Sequence, residues 1–449
     1  MRGWRSERGE GIKRLLSLFI PLAFMLMTSS LYLFVEKLFL VRVSPQAMQA
    51  AVNAAYVCQI FQTSAIALVM MAQVFVANWS GAQKYKAIGP GVWQYIWFSL
   101  LSSCLTIPLS IYAGRQYFQG TEIEQAVRSY FYLLLTMNLF YPLGAALSCY
   151  FSGRGKTRLI LLTTIGMQLL KIALSYLLIF GAFSLPRLGM VGGALSTVIS
   201  HLGFCAILFL VFLSAKHREQ FDTHRWRFQW RLFKECIHPG FLRALNRFLS
   251  FTCWAAIAHL MTIRGGDYAL VLSMGGTLFF VLPSLADALC QAQTTVVSQL
   301  LGAKKLAELS VASTSGYIVA AGISLLFIVP FLLFPSQTSH LLFPTVMLDE
   351  QMIRNIFWGI FSSFALFLIG YVPISFVLAC KDMKFSLFMG AFNWVNGYLL
   401  MVLFLEVMQI SADKFWLALS VMHASIVLFY YIRVRFLTQS LQKQLQFAS

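Results

Sequence analysis

Long apolar segments recur along almost the whole of this 449-residue chain. Each is longer than the roughly 20 residues that a helix needs to cross a bilayer core of about 30 Å. We therefore predict an all-α membrane protein with twelve transmembrane helices in two pseudo-symmetric six-helix bundles. The predicted spans, numbered 1 to 12 in chain order, cover approximately residues 15–41, 48–78, 93–114, 128–151, 159–183, 192–214, 238–262, 268–300, 311–334, 353–379, 385–407 and 414–436.

The composition is typical of a chain whose surface faces lipid. Charged residues make up 11% of the sequence and hydrophobic residues 59%, whereas soluble domains carry about 25% charged residues. The formal net charge is +18, but the basic residues are spread over the loops and form no single basic face, so we expect no nucleic-acid partner. The eight cysteines lie in or beside the spans, which argues against a disulfide framework.

The lysines and arginines of the loops predict the orientation. With the N-terminus inside, the inward segments carry 23 of these residues and the outward loops carry 7. Positive residues are enriched in cytoplasmic loops, so both termini are predicted to lie in the cytoplasm. We expect a multi-pass protein of the bacterial inner membrane that works as a monomer in the lipid bilayer.

The two halves of the sequence resemble each other. Span 2 ends in NWSGAQK (78–84) and span 8 ends in QLLGAKK (299–305). Basic turns follow spans 4 and 10, and a polar linker at about 215–237 separates the halves. Internal repeats of this kind build transporters with two lobes around a central site. We predict an N-terminal lobe of residues 1–217 and a C-terminal lobe of residues 218–449.

Two carboxyl groups fall within predicted spans and away from their last residues, where a charge costs about 2.5–3.5 kcal/mol and indicates function by default. Glu36 lies on span 1, one turn after Tyr32. Asp287 lies on a polar face of span 8 that repeats at helical spacing and includes Gln291. We interpret Glu36 and Asp287 as cation-coupling residues, and Tyr32 and Gln291 as cavity residues. The alternative for the span 8 face is hydrogen bonding between helices. The alternatives for Glu36 are that it lies near the outer interface and reaches the headgroups, or that it pairs with Lys37.

Further polar side chains are predicted to line a substrate cavity. Lys171 lies near the middle of span 5, where a charged amine needs a partner or water. An alternative interpretation of Arg247, near the start of span 7, is that its side chain reaches the lipid headgroups. An alternative interpretation of the span 11 asparagines is a structural role. The predicted cavity residues of spans 5, 7 and 11 are Gln168, Lys171, Asn246, Arg247, Asn393 and Asn396.

The sequence contains no recognised motif of an enzyme, a cofactor site or a metal site. Residues 155–157 (GKT) resemble the end of a nucleotide-binding P-loop, but the required preceding glycine is replaced by Tyr150. A membrane-embedded transferase, the alternative from another class, would need clustered acids or histidines, and His201 and His259 stand alone in apolar spans. We therefore expect no enzymatic activity, no cofactor and no metal.

Four features together resemble the multidrug and toxic compound extrusion family, within the multidrug/oligosaccharidyl-lipid/polysaccharide superfamily. They are Pro21 followed by Glu36 in span 1, the Gly-Ala turns after spans 2 and 8, GRGKT (153–157) after span 4, and LGMVGGALS (188–196) at the start of span 6. The resemblance implies two six-helix lobes around a central cleft and export driven by Na⁺ or H⁺. It places the coupling acid at Glu36. Some members have further acids in helices 7 and 10, which are lacking here.

We therefore predict a secondary active transporter that exports small organic molecules, with lipophilic cations or drugs as the expected substrates, in exchange for H⁺ or Na⁺. The isolated carboxylates favour H⁺, because a hard cation binds several oxygen ligands. The alternative is a flippase for an anionic lipid-linked sugar or another anionic amphipath, since Lys171, Arg243 and Arg247 suit an anionic headgroup.

Overall fold

The computed structural model describes residues 2–120, 124–183, 186–335, 337–338 and 349–446, apart from some side chains within these ranges. The regular secondary structure of these residues is helical. The helices are labelled in chain order: α1 Arg2–Val43, α2 Pro45–Val69, α3 Met71–Gly81, α4 Ile88–Phe118, α5 Glu124–Leu135, α6 Met137–Gly153, α7 Thr157–Phe180, α8 Met190–Phe212, α9 Ala215–Phe221, α10 Trp230–Arg264, α11 Gly266–Gly302, α12 Glu308–Leu333, α13 Glu350–Ala379, α14 Met383–Val402 and α15 Phe415–Gln446.

The predicted spans coincide with helices. Within the described part of the chain, ten helical segments are long and apolar enough to cross a membrane. The other two predicted spans, 7 and 8, correspond to α10 and α11, which are 35 and 37 residues long. Each of these helices exceeds the roughly 20 residues that a membrane span requires.

Two spans are interrupted near their middle. Span 2 is built from α2 and α3, which meet at Met70, and span 4 is built from α5 and α6, which meet at Thr136. The Thr136 hydroxyl donates to the Leu133 carbonyl at 2.7 Å, and the Thr136 N–H donates to the same carbonyl at 3.2 Å. A threonine hydroxyl that bonds to a carbonyl one turn earlier competes with the helix ladder, which accounts for the break at this position.

Spans 2 and 8 end in the same turn. After α3, the Lys84 N–H donates to the Trp79 carbonyl at 2.9 Å, and Gln83 has a φ of 57°. After α11, Lys305 donates back into the helix at 3.0 Å, and Lys304 has a φ of 57°. These bonds satisfy carbonyls that every helix end leaves without an intrahelical partner. The likeness between the two halves is therefore a likeness of backbone conformation.

The turns after spans 4 and 10 repeat this conformation. Gly155 follows α6 with a φ of 78°, and Lys381 follows α13 with a φ of 59°. In each turn the next N–H donates back into the helix, at 2.8 Å and 3.1 Å respectively. Only the turn after α6 has glycine at the left-handed position, for which glycine is best suited. The other three turns could not be recognised in the sequence from a glycine at this position.

The chain divides into two compact units. The first unit consists of residues 24–247, and the second consists of residues 1–23 together with 248–449. The boundaries fall inside α1 and α10, so each of these helices contributes to both units. The lobes predicted at 1–217 and 218–449 follow the sequence repeat, and that division stays a prediction.

The polar linker is folded as part of the first unit. Helix α9 ends at Phe221, whose side chain is only 2% exposed. The guanidinium carbon of Arg154 lies 3.8 Å from the centre of the Phe221 ring, and Trp93 Nε1 donates to the Thr223 carbonyl at 2.7 Å. Burial and the nearby charge of Arg154 lower the pKa of His217 on α9 below its ordinary value of 6.5, so this imidazole is neutral at neutral pH.

The second unit is packed around Trp416 on α15, which is fully buried and donates from its indole Nε1 to the Val271 carbonyl at 3.2 Å. Two glycines let neighbouring helices approach this ring. A Cβ on Gly275 of α11 would lie 1.9 Å from the indole, and a Cβ on Gly359 of α13 would lie 2.7 Å from the Trp416 Cβ. The indole therefore fills space that a larger residue at either position would occupy.

Candidate cation-coupling site

Two of the predicted site residues form an ion pair in the first unit. Lys171 Nζ on α7 lies 3.5 Å from Glu36 Oε2 on α1, and their side chains are 8% and 10% exposed. A buried charge is tolerated when an opposite charge lies beside it, so each group reduces the cost of burying the other. Lys37, which adjoins Glu36 in the sequence, is exposed.

The glycine-rich start of α8 makes room for this pair. A Cβ on Gly192 would lie 2.6 Å from the Leu178 carbonyl of α7, so the two backbones approach here as closely as glycine allows. A Cβ on the adjacent Gly193 would lie 3.5 Å from Glu36 Oε1. Gly193 therefore lies directly against the carboxyl group. The motif that carried the family resemblance thus shapes the surroundings of the predicted coupling acid.

Polar contacts extend along α7 on both sides of Lys171. One turn before it, Gln168 Nε2 donates to Ser29 Oγ on α1 at 2.8 Å. One turn after it, Ser175 Oγ lies 2.6 Å from Ser196 Oγ on α8. The polar face predicted on span 5 is thus in contact with α1 and α8, and Gln168 lies half-buried within it.

A histidine and two tyrosines complete the surroundings of the pair. His201 Nε2 lies 3.1 Å from the Phe140 carbonyl, and its ring meets the ring of Tyr141 edge-on at 4.6 Å between centres. The charge of Glu36 acts on the phenols of Tyr130 and Tyr141, and the charge of Lys171 acts on His201. Although His201 stands alone in the sequence, it therefore belongs to the electrostatic environment of the pair.

A second polar chain crosses the first unit and was not predicted. Gln62 Nε2 donates to Asn138 Oδ1 at 3.0 Å, and Asn138 Nδ2 donates to Ser110 Oγ at 2.9 Å. All three side chains are at most 5% exposed. Asn138 follows the break at Thr136, so the interruption of span 4 lies beside this chain. The sequence signal was weak, since span 2 contains several amide side chains and nothing in the sequence pairs Gln62 with Asn138.

The predicted residues of the second unit lie on α11 and α14. Asp287 and Gln291 are half-buried on α11. Asn393 is 4% exposed and accepts a hydrogen bond from Ser425 Oγ at 2.9 Å. Asn396 is exposed, and its amide donates to a carbonyl of its own helix at 2.6 Å. Both asparagines therefore form hydrogen bonds with residues of the second unit. The coupling role of Asp287 and the cavity roles of the other three residues stay predictions.

The remaining predicted cavity residues belong to the first unit. On α10, Asn246 is half-buried and Arg247 is exposed. The Tyr32 side chain lies outside the described residues. In the part of the chain that the structure describes, no three His, Cys, Asp or Glu side chains are grouped closely enough to hold a metal ion.

A buried histidine in the second unit was also missed. His423 on α15 is 5% exposed, and its Nδ1 lies 2.7 Å from Ser363 Oγ on α13. Its ring lies 5.2 Å from that of Phe367. In the sequence it is a single histidine in an apolar span, and nothing in the sequence pattern pairs it with Ser363.

The sequence was compared with families and known proteins. A family model described as MatE matches residues 21–177. The probable multidrug resistance protein NorM of Thermotoga maritima is 27% identical over 59% of this chain and 57% of its own length. The protein of the same name from Bacillus subtilis is 24% identical over 73% of this chain and 74% of its own length. The chain thus aligns with little more than half of the first relative.

Solved structures extend the likeness to the whole chain. A multidrug resistance MATE family transporter of the MOP superfamily, in an outward-facing conformation, has a TM-score of 0.85 at 16% identity, with 99% of both chains covered. A MOP superfamily transporter from Pyrococcus furiosus, whose binding pocket is described as having reverse polarity that suggests a different function, has a TM-score of 0.84 at 16% identity, with 98% and 99% covered. The predicted all-helical fold, with twelve spans in two bundles of six, is confirmed.

Proposed function

We propose that this chain, whose resemblance to the multidrug and toxic compound extrusion (MATE) family is confirmed, is a secondary transporter that exports organic solutes in exchange for protons. The observation that carries the proposal is the buried pair of Glu36 and Lys171, 3.5 Å apart. An intramembrane carboxyl group beside a cationic group can exist in two states. In one state it is ionised and paired, and in the other it is protonated and released from its partner.

The neighbours of Glu36 support protons over Na⁺ as the coupling ion. A hard cation prefers several oxygen ligands. On the Lys171 side of the carboxyl group, however, an ammonium group already occupies the position next to Glu36 Oε2. A proton needs no coordination shell, and on binding it would remove the charge of the carboxylate and break the ion pair. Proton entry would therefore free Lys171 and change the packing of α7 against α1.

The proposed substrates are amphipathic organic molecules, with lipophilic cations preferred. The name of the relatives, multidrug resistance protein, supports this class. Glu36 would attract a cation once Lys171 moves away, and Asp287 on α11 offers a second, half-buried carboxyl group. The predicted orientation, with both termini in the cytoplasm, is part of the proposal.

Replacing Glu36 with glutamine tests the proton role. Glu36→Gln preserves the shape of the side chain but cannot release a proton, so we expect at least a tenfold loss of efflux driven by a pH gradient, measured per folded protein. Because the variant leaves the ammonium group of Lys171 without the carboxylate beside it, we also expect less folded protein. The measurement is efflux of a fluorescent cation from proteoliposomes under an imposed pH gradient and, separately, under an imposed Na⁺ gradient. Glu10→Gln, the same change at an exposed position of α1, is the matched control. Normal efflux by Glu36→Gln would contradict the assignment, and efflux driven only by Na⁺ would contradict proton coupling.

Export or flipping of an anionic amphipath is the second candidate function, favoured by the burial of Lys171. A buried ammonium group would attract a phosphate or carboxylate in the way that Glu36 would attract a cation. The two functions predict opposite results for two variants. If the substrate is a cation, Asp287→Asn should reduce transport per folded protein more than Lys171→Gln does. If Lys171→Gln raises the KM for efflux and Asp287→Asn does not, the anionic substrate is the correct one. A fall in kcat alone in Lys171→Gln would report the broken coupling pair and not the charge of the substrate.

A further inference from the structure

Aromatic and basic residues alternate along one segment of the linker. Residues 224–231 read HRWRFQWR, and residues 225–229 form neither helix nor strand. Trp226 and Phe228 both contact Trp97 of α4, with ring centres 6.2 Å and 6.5 Å apart. These two rings therefore share the side of the segment that faces α4. Arg227, which lies between them in the sequence, is exposed.

Side chains of α4 hold this segment in place. Trp97 Nε1 donates to the Trp226 carbonyl at 2.8 Å, and Gln94 Nε2 donates to the Arg227 carbonyl at 3.3 Å. The Gln229 N–H donates to Gln94 Oε1 at 3.2 Å. These three bonds fix the backbone of the segment against α4.

The rings form an exposed aromatic surface at the end of a lipid-facing helix. Trp226, Phe228 and Trp230 are 62%, 39% and 68% exposed. Further along α4, Leu101 and Leu105 are 53% and 64% exposed, as expected of side chains that face acyl chains. Tryptophan is enriched where a span meets the headgroups, because its ring is apolar and its N–H is polar. This surface therefore lies at the level of the headgroups.

The arginines supply a charge complementary to lipid phosphate. Arg225, Arg227 and Arg231 are exposed, and Arg225 lies 3.3 Å from Asp222, so its charge is partly compensated. A guanidinium group can bind two phosphate oxygens at once. We propose that residues 224–231 bind an anionic phospholipid, with the arginines on its phosphate and the aromatic rings against the start of its acyl chains. In the predicted orientation the lipid belongs to the cytoplasmic leaflet, where anionic lipids attract basic segments.

The test compares unfolding temperatures in lipids of different charge. The protein is reconstituted in phosphatidylcholine and in phosphatidylcholine mixed with phosphatidylglycerol, and the rise in unfolding temperature caused by phosphatidylglycerol is measured. We expect the triple variant Arg225→Gln/Arg227→Gln/Arg231→Gln to lose more than half of this rise. The matched control removes three exposed basic residues elsewhere, Lys86→Gln/Lys304→Gln/Lys443→Gln, and should keep the rise.

Three outcomes would overturn the proposal. The first is a triple variant that keeps the full rise in unfolding temperature, and the second is a control variant that loses as much of the rise as the triple variant does. The third is a wild-type protein whose unfolding temperature rises equally in phosphatidylcholine with soluble glycerol phosphate, which would indicate a site for free phosphate. If the triple variant cannot be purified, Arg227→Gln/Arg231→Gln leaves the Arg225–Asp222 pair intact and should lose a smaller but measurable part of the rise. No loss in this double variant would equally contradict the proposal.

Discussion

Lys171→Gln should destabilise the first unit by about 3–5 kcal/mol, because it leaves the carboxylate of Glu36 buried without its counter-charge. The two groups lie 3.5 Å apart and both are almost fully buried, so solvent cannot replace the lost ammonium group. The loss should shrink as the pH falls, since a protonated Glu36 needs no counter-charge. The measurement is the unfolding temperature of the purified variant and of the wild-type protein at several pH values.

The double variant Glu36→Gln/Lys171→Gln separates stability from transport. Two neutral amides carry no buried charge, so we expect the double variant to recover most of the stability that Lys171→Gln loses. It should not recover transport, because neither position can then bind or release a proton. Glu10→Gln, at an exposed position of α1, should leave stability unchanged. A double variant that is no more stable than Lys171→Gln would mean that the ion pair is not the source of the loss.

Gly275→Ala should destabilise the second unit by about 3 kcal/mol or more, because overpacking of a rigid core is relieved only by shifting the backbone. The added Cβ would lie 1.9 Å from the indole of Trp416, which is fully buried between helices. An indole ring cannot bend away from such a contact, so α11 or α15 has to move. The measurement is the unfolding temperature, together with the yield of monodisperse protein after purification.

The next residue provides a control on the same helix. Among the described residues, no atom other than those of its chain neighbours and of the backbone of its own helix lies within 4 Å of the position where a Cβ would be added to Gly276. Gly276→Ala should therefore be neutral or should stabilise α11 by up to about 1 kcal/mol, since alanine favours helix more than glycine does. Equal losses in the two variants would show that flexibility of α11, and not the space around Trp416, explains the effect.

The two partners of the ion pair were predicted one at a time, and their contact was not. Glu36 and Lys171 each stood out because a charge in an apolar span is costly. Their pairing depends on how closely α7, α8 and α1 approach, which is made possible by Gly192 and Gly193. Hydropathy reports which residues face lipid, but it does not report which helices touch. The sequence therefore predicted both members of the site, but it did not decide whether Glu36 pairs with Lys37 or with another residue.

The interruptions of spans 2 and 4 and the folding of the linker escaped prediction for a related reason. Met70 and Thr136 are ordinary residues in apolar stretches, and a break of one turn leaves the length and hydropathy of a span unchanged. The linker is polar in composition, which is typical of a loop. Its position is determined by hydrogen bonds from Trp93, Gln94 and Trp97 to its backbone, and these residues are hidden in the sequence as part of span 3.

The division of α1 between the two units has a consequence for biosynthesis. The first unit is one continuous stretch of chain, whereas the first 23 residues belong with residues 248–449. Arg14 donates to Gln299 at 2.9 Å across a separation of 285 residues. At about 5–20 residues per second, the ribosome needs about 15–60 s to synthesise that interval. The start of α1 is thus made before the first unit but finds its neighbours only after that unit is complete. A chain that stalls near residue 247 would leave the start of α1 exposed to proteases.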